Sequence, residues 1–172
     1  CSILQKCLSF ITLPLFTRLL TTEQYGQYTI YSSWSGILII FLTLNLAYGS
    51  FQTAMVKFEG RRDEYITSIQ GISVVLCCVF LAVYLPLRNV WNRLFELPTP
   101  FVLLMVAEII FSTATQLWME KNRFEFKYKS VVVVTLLTSI LSPVIAFILV
   151  SLVSEKGYAR IFGYAIVNIL IG

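Results

Sequence analysis

Long apolar segments joined by short polar connections constrain this chain more than any other feature. Five segments approach the roughly 20 residues that an α-helix needs to cross the hydrocarbon core of a bilayer. Because backbone groups in hydrocarbon must be hydrogen-bonded within the protein, segments of this length are predicted to be helices. A sixth segment is still apolar at the last residue, so we expect the chain to be part of a longer protein. The spans are predicted at residues 2–20, 28–51, 67–87, 98–119 and 130–153, with the start of a sixth at 158–172.

The composition leads to the same class of protein. Hydrophobic residues make up 58% of the chain and charged residues 13%, whereas soluble domains carry about 25% charged residues. Disordered chains have the opposite balance, with low hydrophobicity and high net charge. We therefore predict an all-α fold, a polytopic transmembrane helical bundle, in which residues 1–172 form a single transmembrane domain.

Several classes of chemistry are disfavoured by the residues that are present. The chain has no histidine, and its four cysteines form no C-x-x-C pair. It also has no glycine-rich phosphate loop, no G-x-S-x-G elbow and no cluster of acidic metal ligands. The sequence predicts that the protein is not an enzyme, and that it has no catalytic residue, no cofactor and no metal site. The net charge of +4 is not gathered into a basic and aromatic patch, so we expect no nucleic-acid partner.

The basic residues instead indicate the orientation in the membrane, since cytoplasmic loops are enriched in lysine and arginine. The connections after the second and fourth spans contain seven basic residues, and the other connections contain five. This bias predicts a cytoplasmic amino terminus. The two sets are Lys57, Arg61, Arg62, Lys121, Arg123, Lys127 and Lys129, against Arg18, Arg88, Arg93, Lys156 and Arg160.

Polar residues inside the spans recur at helical spacing, so each set lies on one helix face. Such a face packs closely against another helix or lines a water-filled cavity, and the sequence leaves both readings open. The sets are Ser2, Gln5, Lys6 and Ser9 in the first span; Thr29, Ser32, Ser33 and Gly36 in the second; Glu108, Ser112, Thr115 and Gln116 in the fourth; and Thr135, Thr138, Ser139 and Ser142 in the fifth.

Two charged residues inside spans need a separate explanation. A charge near the middle of a span costs roughly 3 kcal/mol or more, so it normally faces a partner or an aqueous path. Lys6 lies near the start of its helix and has the alternative of reaching the cytoplasmic interface. Glu108 lies about ten residues inside its span, so it is harder to explain by access to an interface. An ion pair between Lys6 and Glu108 is a further alternative.

The motif that follows the first span resembles a known family. Residues 13–26 read LPLFTRLLTTEQYG: an apolar helix with a proline, then T-R-L-L, a polar pair and E-x-Y-G. This motif, the following span with Trp34, and the loop from Lys57 to Tyr65 are similar to the bacterial polysaccharide-export flippases. That family belongs to the superfamily of multidrug and oligosaccharidyl-lipid exporters. The resemblance implies the amino-terminal lobe of an exporter with 12–14 helices.

The resemblance also implies a function. The protein is expected to flip an undecaprenyl-diphosphate-linked oligosaccharide from the cytoplasmic to the outer leaflet of the bacterial inner membrane, for surface polysaccharides such as O-antigen. Expected partners are that lipid-linked substrate, membrane lipids and other membrane proteins of polysaccharide assembly. Candidate substrate-binding or cavity residues are Lys6, Arg18, Glu108 and Gln116. Two alternatives stay open: a multidrug or cation exporter of the same superfamily, and a membrane scaffold that transports nothing.

Overall fold

The computed structural model describes residues 10, 12, 14, 16–46, 51–152 and 156–171, and every regular element within those ranges is an α-helix. Residues 16–19 are helical and precede α1. The helices are α1 (Thr22–Thr43), α2 (Phe51–Lys57), α3 (Arg62–Tyr84), α4 (Arg88–Phe95), α5 (Thr99–Phe124), α6 (Tyr128–Leu152) and α7 (Lys156–Ile171).

Three of the described helices, α3, α5 and α6, are long and apolar enough to cross a membrane. They carry rows of exposed large apolar side chains, such as Val75, Val79 and Val83 on α3. Exposed apolar rows at helical spacing suit contact with lipid or with another helical bundle. The all-α transmembrane bundle predicted from the sequence is therefore confirmed.

Local sequence signals set several helix ends. Thr21 and Gln24 form a reciprocal capping box, in which each side chain bonds the other residue's backbone N–H. This box satisfies two free donors at the start of α1, so the helix begins six residues before the predicted span at 28–51. The helix ends at Thr43, where Leu44 and Asn45 adopt positive φ values of 50°. Residues 47–50 of that predicted span lie outside the described residues.

Helix α7 is central to the packing, with contacts to α1, α5 and α6. Its closest approach is to α6, where an added Cβ on Gly163 would lie 2.5 Å from Ala146 Cα. Small residues that let backbones approach this closely are typical of packed transmembrane helices. The first helical segment joins this contact through Phe16, which is fully buried in a cluster with Ala146 and Ala159.

A larger core lies between α1, α3, α5 and α7, and the short helix α4 closes one end of it. Phe95 of α4 is buried, and its ring centroid lies 4.6 Å from that of Trp34. Asn92 of α4 accepts a hydrogen bond from the Tyr84 hydroxyl at 2.5 Å and donates one to Thr99 at 2.8 Å. These bonds tie the end of α3 to the start of α5. We call this end of the bundle, where α1, α5 and α7 begin, the Lys156 end.

The opposite end is held by charged side chains, and we call it the Lys121 end. Lys121 of α5 pairs with Asp63 of α3 at 2.5 Å. Arg62 donates to the Met55 carbonyl at 3.0 Å, which joins α2 to α3. In the connection after α5, the hydrogen bond from Lys127 lowers the pKa of the Glu125 carboxyl.

Candidate functional site

Glu108 lies at the centre of a hydrogen-bonded network that joins three helices. The Tyr31 hydroxyl of α1 donates to Oε2 of Glu108, with 2.7 Å between the two oxygens. The Asn168 side-chain amide of α7 donates to Oε1, with 2.7 Å between nitrogen and oxygen. Both carboxylate oxygens therefore have a neutral donor, as a polar group withdrawn from water requires.

The depth of this network follows from its position along the helices. Tyr31 is nine residues after the start of α1, and Glu108 is nine residues after the start of α5. At 1.5 Å per residue both side chains lie about 14 Å from the Lys156 end. That distance is about half the thickness of the hydrocarbon core. The carboxylate is consequently held near the middle of the predicted membrane depth.

Gln116 lies two turns beyond Glu108 on α5 and faces a cavity of about 280 Å³. Its side-chain nitrogen is buried and has no hydrogen-bond partner among the described residues. The Thr43 and Thr113 hydroxyls donate to carbonyls of their own helices, at 2.7 and 2.6 Å. The Thr43 oxygen also accepts from the Asn45 N–H at 3.3 Å, which leaves it one further lone pair. The cavity lies between α1, α3 and α5, and its lining is Gly36, Ile39, Ile40, Thr43, Asn45, Ile69, Thr113 and Gln116.

This cavity can bind a neutral group that carries hydroxyls. The Gln116 amide offers a donor, and the two threonine oxygens offer acceptors. The isoleucine side chains supply apolar surface beside them. A volume of about 280 Å³ corresponds to that of roughly nine water molecules, so the cavity accommodates a small polar group and not a whole oligosaccharide.

The candidate residues from the sequence do not all come together. Glu108 and Gln116 share α5, two turns apart. Arg18 is exposed, in the helical residues that precede α1, and it forms no hydrogen bond or ion pair with either of them. Lys6 lies outside the described residues, so its proposed pair with Glu108 stays a prediction. In the described part of the chain, no group of three or more His, Cys, Asp or Glu residues is placed to hold a metal ion.

Arg160 lies in a different environment from the one that the sequence predicts. It was counted with the basic residues of a connection, but it lies in the first turns of α7 and is only 5% exposed. Its guanidinium carbon lies 3.8 Å from the ring centroid of Tyr28, 4.3 Å from that of Phe16 and 5.0 Å from that of Tyr25. The guanidinium Nε and Nη1 are buried without a hydrogen-bond partner in the described ranges.

A pattern in the sequence does mark this face of α7. Arg160, Tyr164 and Asn168 follow the spacing i, i+4, i+8, and Tyr25, Tyr28 and Tyr31 follow the spacing i, i+3, i+6 on α1. Residues at these spacings share one helix face. The two polar faces meet in the structure, through Arg160 near the Lys156 end and through Glu108 deeper in the bundle.

Comparison with known proteins gives one match. A family model described as polysaccharide biosynthesis protein matches residues 1–172. No curated protein matches the chain, and no solved structure matches it.

Proposed function

The chain belongs to the polysaccharide biosynthesis protein family, and from this we propose that it is part of a transporter that flips a lipid-linked oligosaccharide. The substrate is an oligosaccharide on undecaprenyl diphosphate, and it moves from the cytoplasmic to the outer leaflet of the bacterial inner membrane. The family is typically one of transporters. In this proposal the chain itself catalyses no covalent reaction.

The observation that carries the proposal is the polar network at the middle of an otherwise apolar bundle. Transfer of a sugar or a charged phosphate into hydrocarbon is strongly unfavourable without hydrogen-bond partners. The Tyr31, Glu108 and Asn168 network supplies polar groups at the middle of the bundle, and the cavity at Gln116 supplies further ones two turns closer to the Lys121 end. A prenyl chain has no such requirement and remains in the lipid.

Each candidate residue has a distinct role in this proposal. Gln116 donates a hydrogen bond to a saccharide hydroxyl from its cavity. Glu108 holds α1 and α7 together from α5, and it changes partners when the helices move. Lys6 and Arg18 attract the diphosphate by charge, as basic side chains do in other phosphate sites.

The proposal is tested in cells that lack the full-length gene. We expect the deletion to remove surface polysaccharide and to cause lipid-linked oligosaccharide to accumulate at the inner face of the membrane. The wild-type gene restores export. Normal export in the deletion strain would contradict the proposal, and altered sensitivity to cationic drugs without a glycan defect would favour a multidrug exporter.

A variant of the cavity tests the role of Gln116. Gln116→Leu removes one hydrogen-bond donor worth about 1 kcal/mol, so we expect export to fall about fivefold. Gln52→Leu makes the same chemical change at an exposed position of α2 and is the matched control. Both variants are compared at equal membrane abundance. Equal export by the two variants would remove Gln116 from the substrate path.

A further inference from the structure

Arg160 has a charge that the described protein does not neutralise. No carboxylate forms an ion pair with it in the described ranges, although the residue is 95% buried. Buried arginines are normally paired and hydrogen-bonded, since an isolated charge is costly to remove from water. The faces of three aromatic rings stabilise the cation and the Tyr164 side chain forms a hydrogen bond with it, but the N–H groups at Nε and Nη1 have no partner in the described part of the chain.

The surroundings of Arg160 are positive as well. Lys156 lies one turn earlier on α7 and donates to the Leu19 carbonyl at 3.4 Å, and no carboxylate of the described residues forms an ion pair with it. The first turn of a helix adds partial positive charge. Helix α7 begins at Lys156, and Arg160 follows one turn later. An anion that reaches the Lys156 end therefore meets two cations and a helix amino terminus.

We propose that Arg160 is a binding residue for the diphosphate of a prenyl-linked substrate at the Lys156 end of the bundle. This inference rests on the proposed function and adds a specific residue to it. The unpartnered N–H groups at Nε and Nη1 are the donors for the phosphate oxygens, which arginine binds in a directed, charge-assisted way. On binding, the guanidinium exchanges contact with a ring face for contact with phosphate.

The aromatic rings favour a lipid-bound diphosphate over a free one. Phe16, Tyr25 and Tyr28 place apolar ring surface directly around the cation. A prenyl diphosphate carries its charge next to an apolar chain, so it matches both parts of this surface. Inorganic pyrophosphate lacks the apolar chain and a phospholipid lacks the second phosphate, and they are the comparison ligands in the test.

The experiment measures binding to the purified full-length protein in phosphatidylcholine nanodiscs. The probe is farnesyl diphosphate, with farnesol and inorganic pyrophosphate as comparisons, and Kd is obtained by titration calorimetry. We expect Arg160→Met to raise the Kd for farnesyl diphosphate about tenfold, the loss expected for a charge-assisted contact. We expect Arg160→Lys to give a smaller increase. Arg93→Gln changes an exposed arginine on α4 and should leave Kd unchanged.

The choice of methionine keeps the test independent of folding, because replacing a buried cation by an apolar side chain of similar length is often neutral or stabilising. A thermal unfolding scan of each variant confirms that it is folded at the titration temperature, and Arg160→Lys gives a second folded variant. An unchanged Kd in both variants would overturn the inference and leave Arg160 a structural anchor.

Two further outcomes would also overturn it. If inorganic pyrophosphate binds as tightly as farnesyl diphosphate, the site takes soluble anions. The second outcome is that phosphatidylglycerol in the nanodisc abolishes farnesyl diphosphate binding by the wild-type protein but not by Arg160→Met. That result would mean that Arg160 binds a bilayer lipid. The titration measures binding and not transport. Normal export in the deletion strain would therefore refute the proposed function without changing the measured Kd values.

Discussion

At the scale of single residues, Glu108 shows how one carboxylate is held inside an apolar bundle. Its two oxygens accept hydrogen bonds from Tyr31 and Asn168, and hydrogen bonds to charged groups contribute about 1.5–3 kcal/mol each. Neutral donors provide this stabilisation without a buried cation. A network of this kind leaves the carboxylate free to exchange donors when helices move.

Removal of the carboxylate should destabilise the bundle. Glu108→Leu leaves the Tyr31 hydroxyl and the Asn168 amide without an acceptor, and we expect a loss of about 2 kcal/mol or more in the free energy of unfolding. Glu108→Gln is the matched control, since its oxygen accepts from Asn168 and its nitrogen donates to the Tyr31 oxygen. Denaturant titration of the protein in mixed micelles measures both. Equal stability of the two variants would mean that these hydrogen bonds contribute little.

At the scale of helices, most serine and threonine side chains in the polar stripes bond within their own helix. Thr29 donates to the Tyr25 carbonyl, Ser112 to the Ile109 carbonyl and Ser139 to the Thr135 carbonyl. Such bonds satisfy a hydroxyl without any partner helix. Hydrogen bonds between helices use longer side chains instead, such as Gln70 of α3, which donates to the Ile110 carbonyl of α5 at 3.0 Å.

The contact between α6 and α7 depends on a glycine, and this gives an element-scale prediction. An added Cβ at Gly163 would meet backbone atoms of Ala146 at 2.5 and 2.8 Å, so Gly163→Ala forces the two helices apart. Overpacking of this kind costs about 1–3 kcal/mol. We expect a correspondingly lower unfolding free energy in detergent.

Gly71 of α3 provides the control for this substitution. A Cβ there would meet no atom within 4 Å, and alanine is the better helix former by about 1 kcal/mol. Gly71→Ala should therefore leave stability unchanged or raise it. If Gly163→Ala behaves in the same way as Gly71→Ala, the close approach of α6 and α7 is not needed for the fold.

At the scale of the whole molecule, the two ends of the bundle are held by different chemistry. The Lys121 end uses ion pairs such as that of Lys121 with Asp63, whereas the Lys156 end uses buried aromatic side chains around Arg160. Exposed ion pairs contribute little energy, and buried aromatic contacts contribute more. We therefore expect the Lys121 end to separate more readily when the bundle changes conformation.

The orientation in the membrane is a prediction that labelling can test. The basic loops predict a cytoplasmic Lys121 end. Single cysteines at Phe126 and Val90, both exposed, are introduced into a protein whose native cysteines have been replaced. A membrane-impermeant maleimide should label Val90→Cys in intact cells. It should label Phe126→Cys only after the cells are permeabilised. The reverse pattern would invert the predicted topology.

The sequence by itself determined the class of fold and one central residue of the candidate site. Apolar segments of about 20 residues can adopt few backbone structures in hydrocarbon. Each peptide group must form its hydrogen bonds within the segment or within a closed barrel. A barrel strand crosses the membrane with about 9–11 residues and a helix with about 20, so the length of the segments selects the helix. Glu108 was also predictable, because it is an acidic residue deep inside a span. Such a charge normally faces a partner or an aqueous path.

The tertiary structure alone decided which side chains meet. Helical periodicity indicates the face on which a residue lies, but not which helix packs against that face. Tyr31 and Glu108 are 77 positions apart, and Asn168 lies a further 60 positions along the chain. The cavity at Gln116 depends in the same way on the packing of α1, α3 and α5, and the burial of Arg160 depends on the close approach of α7 to α1. That approach is set by side-chain shapes on several helices at once, and a single span of sequence does not encode it.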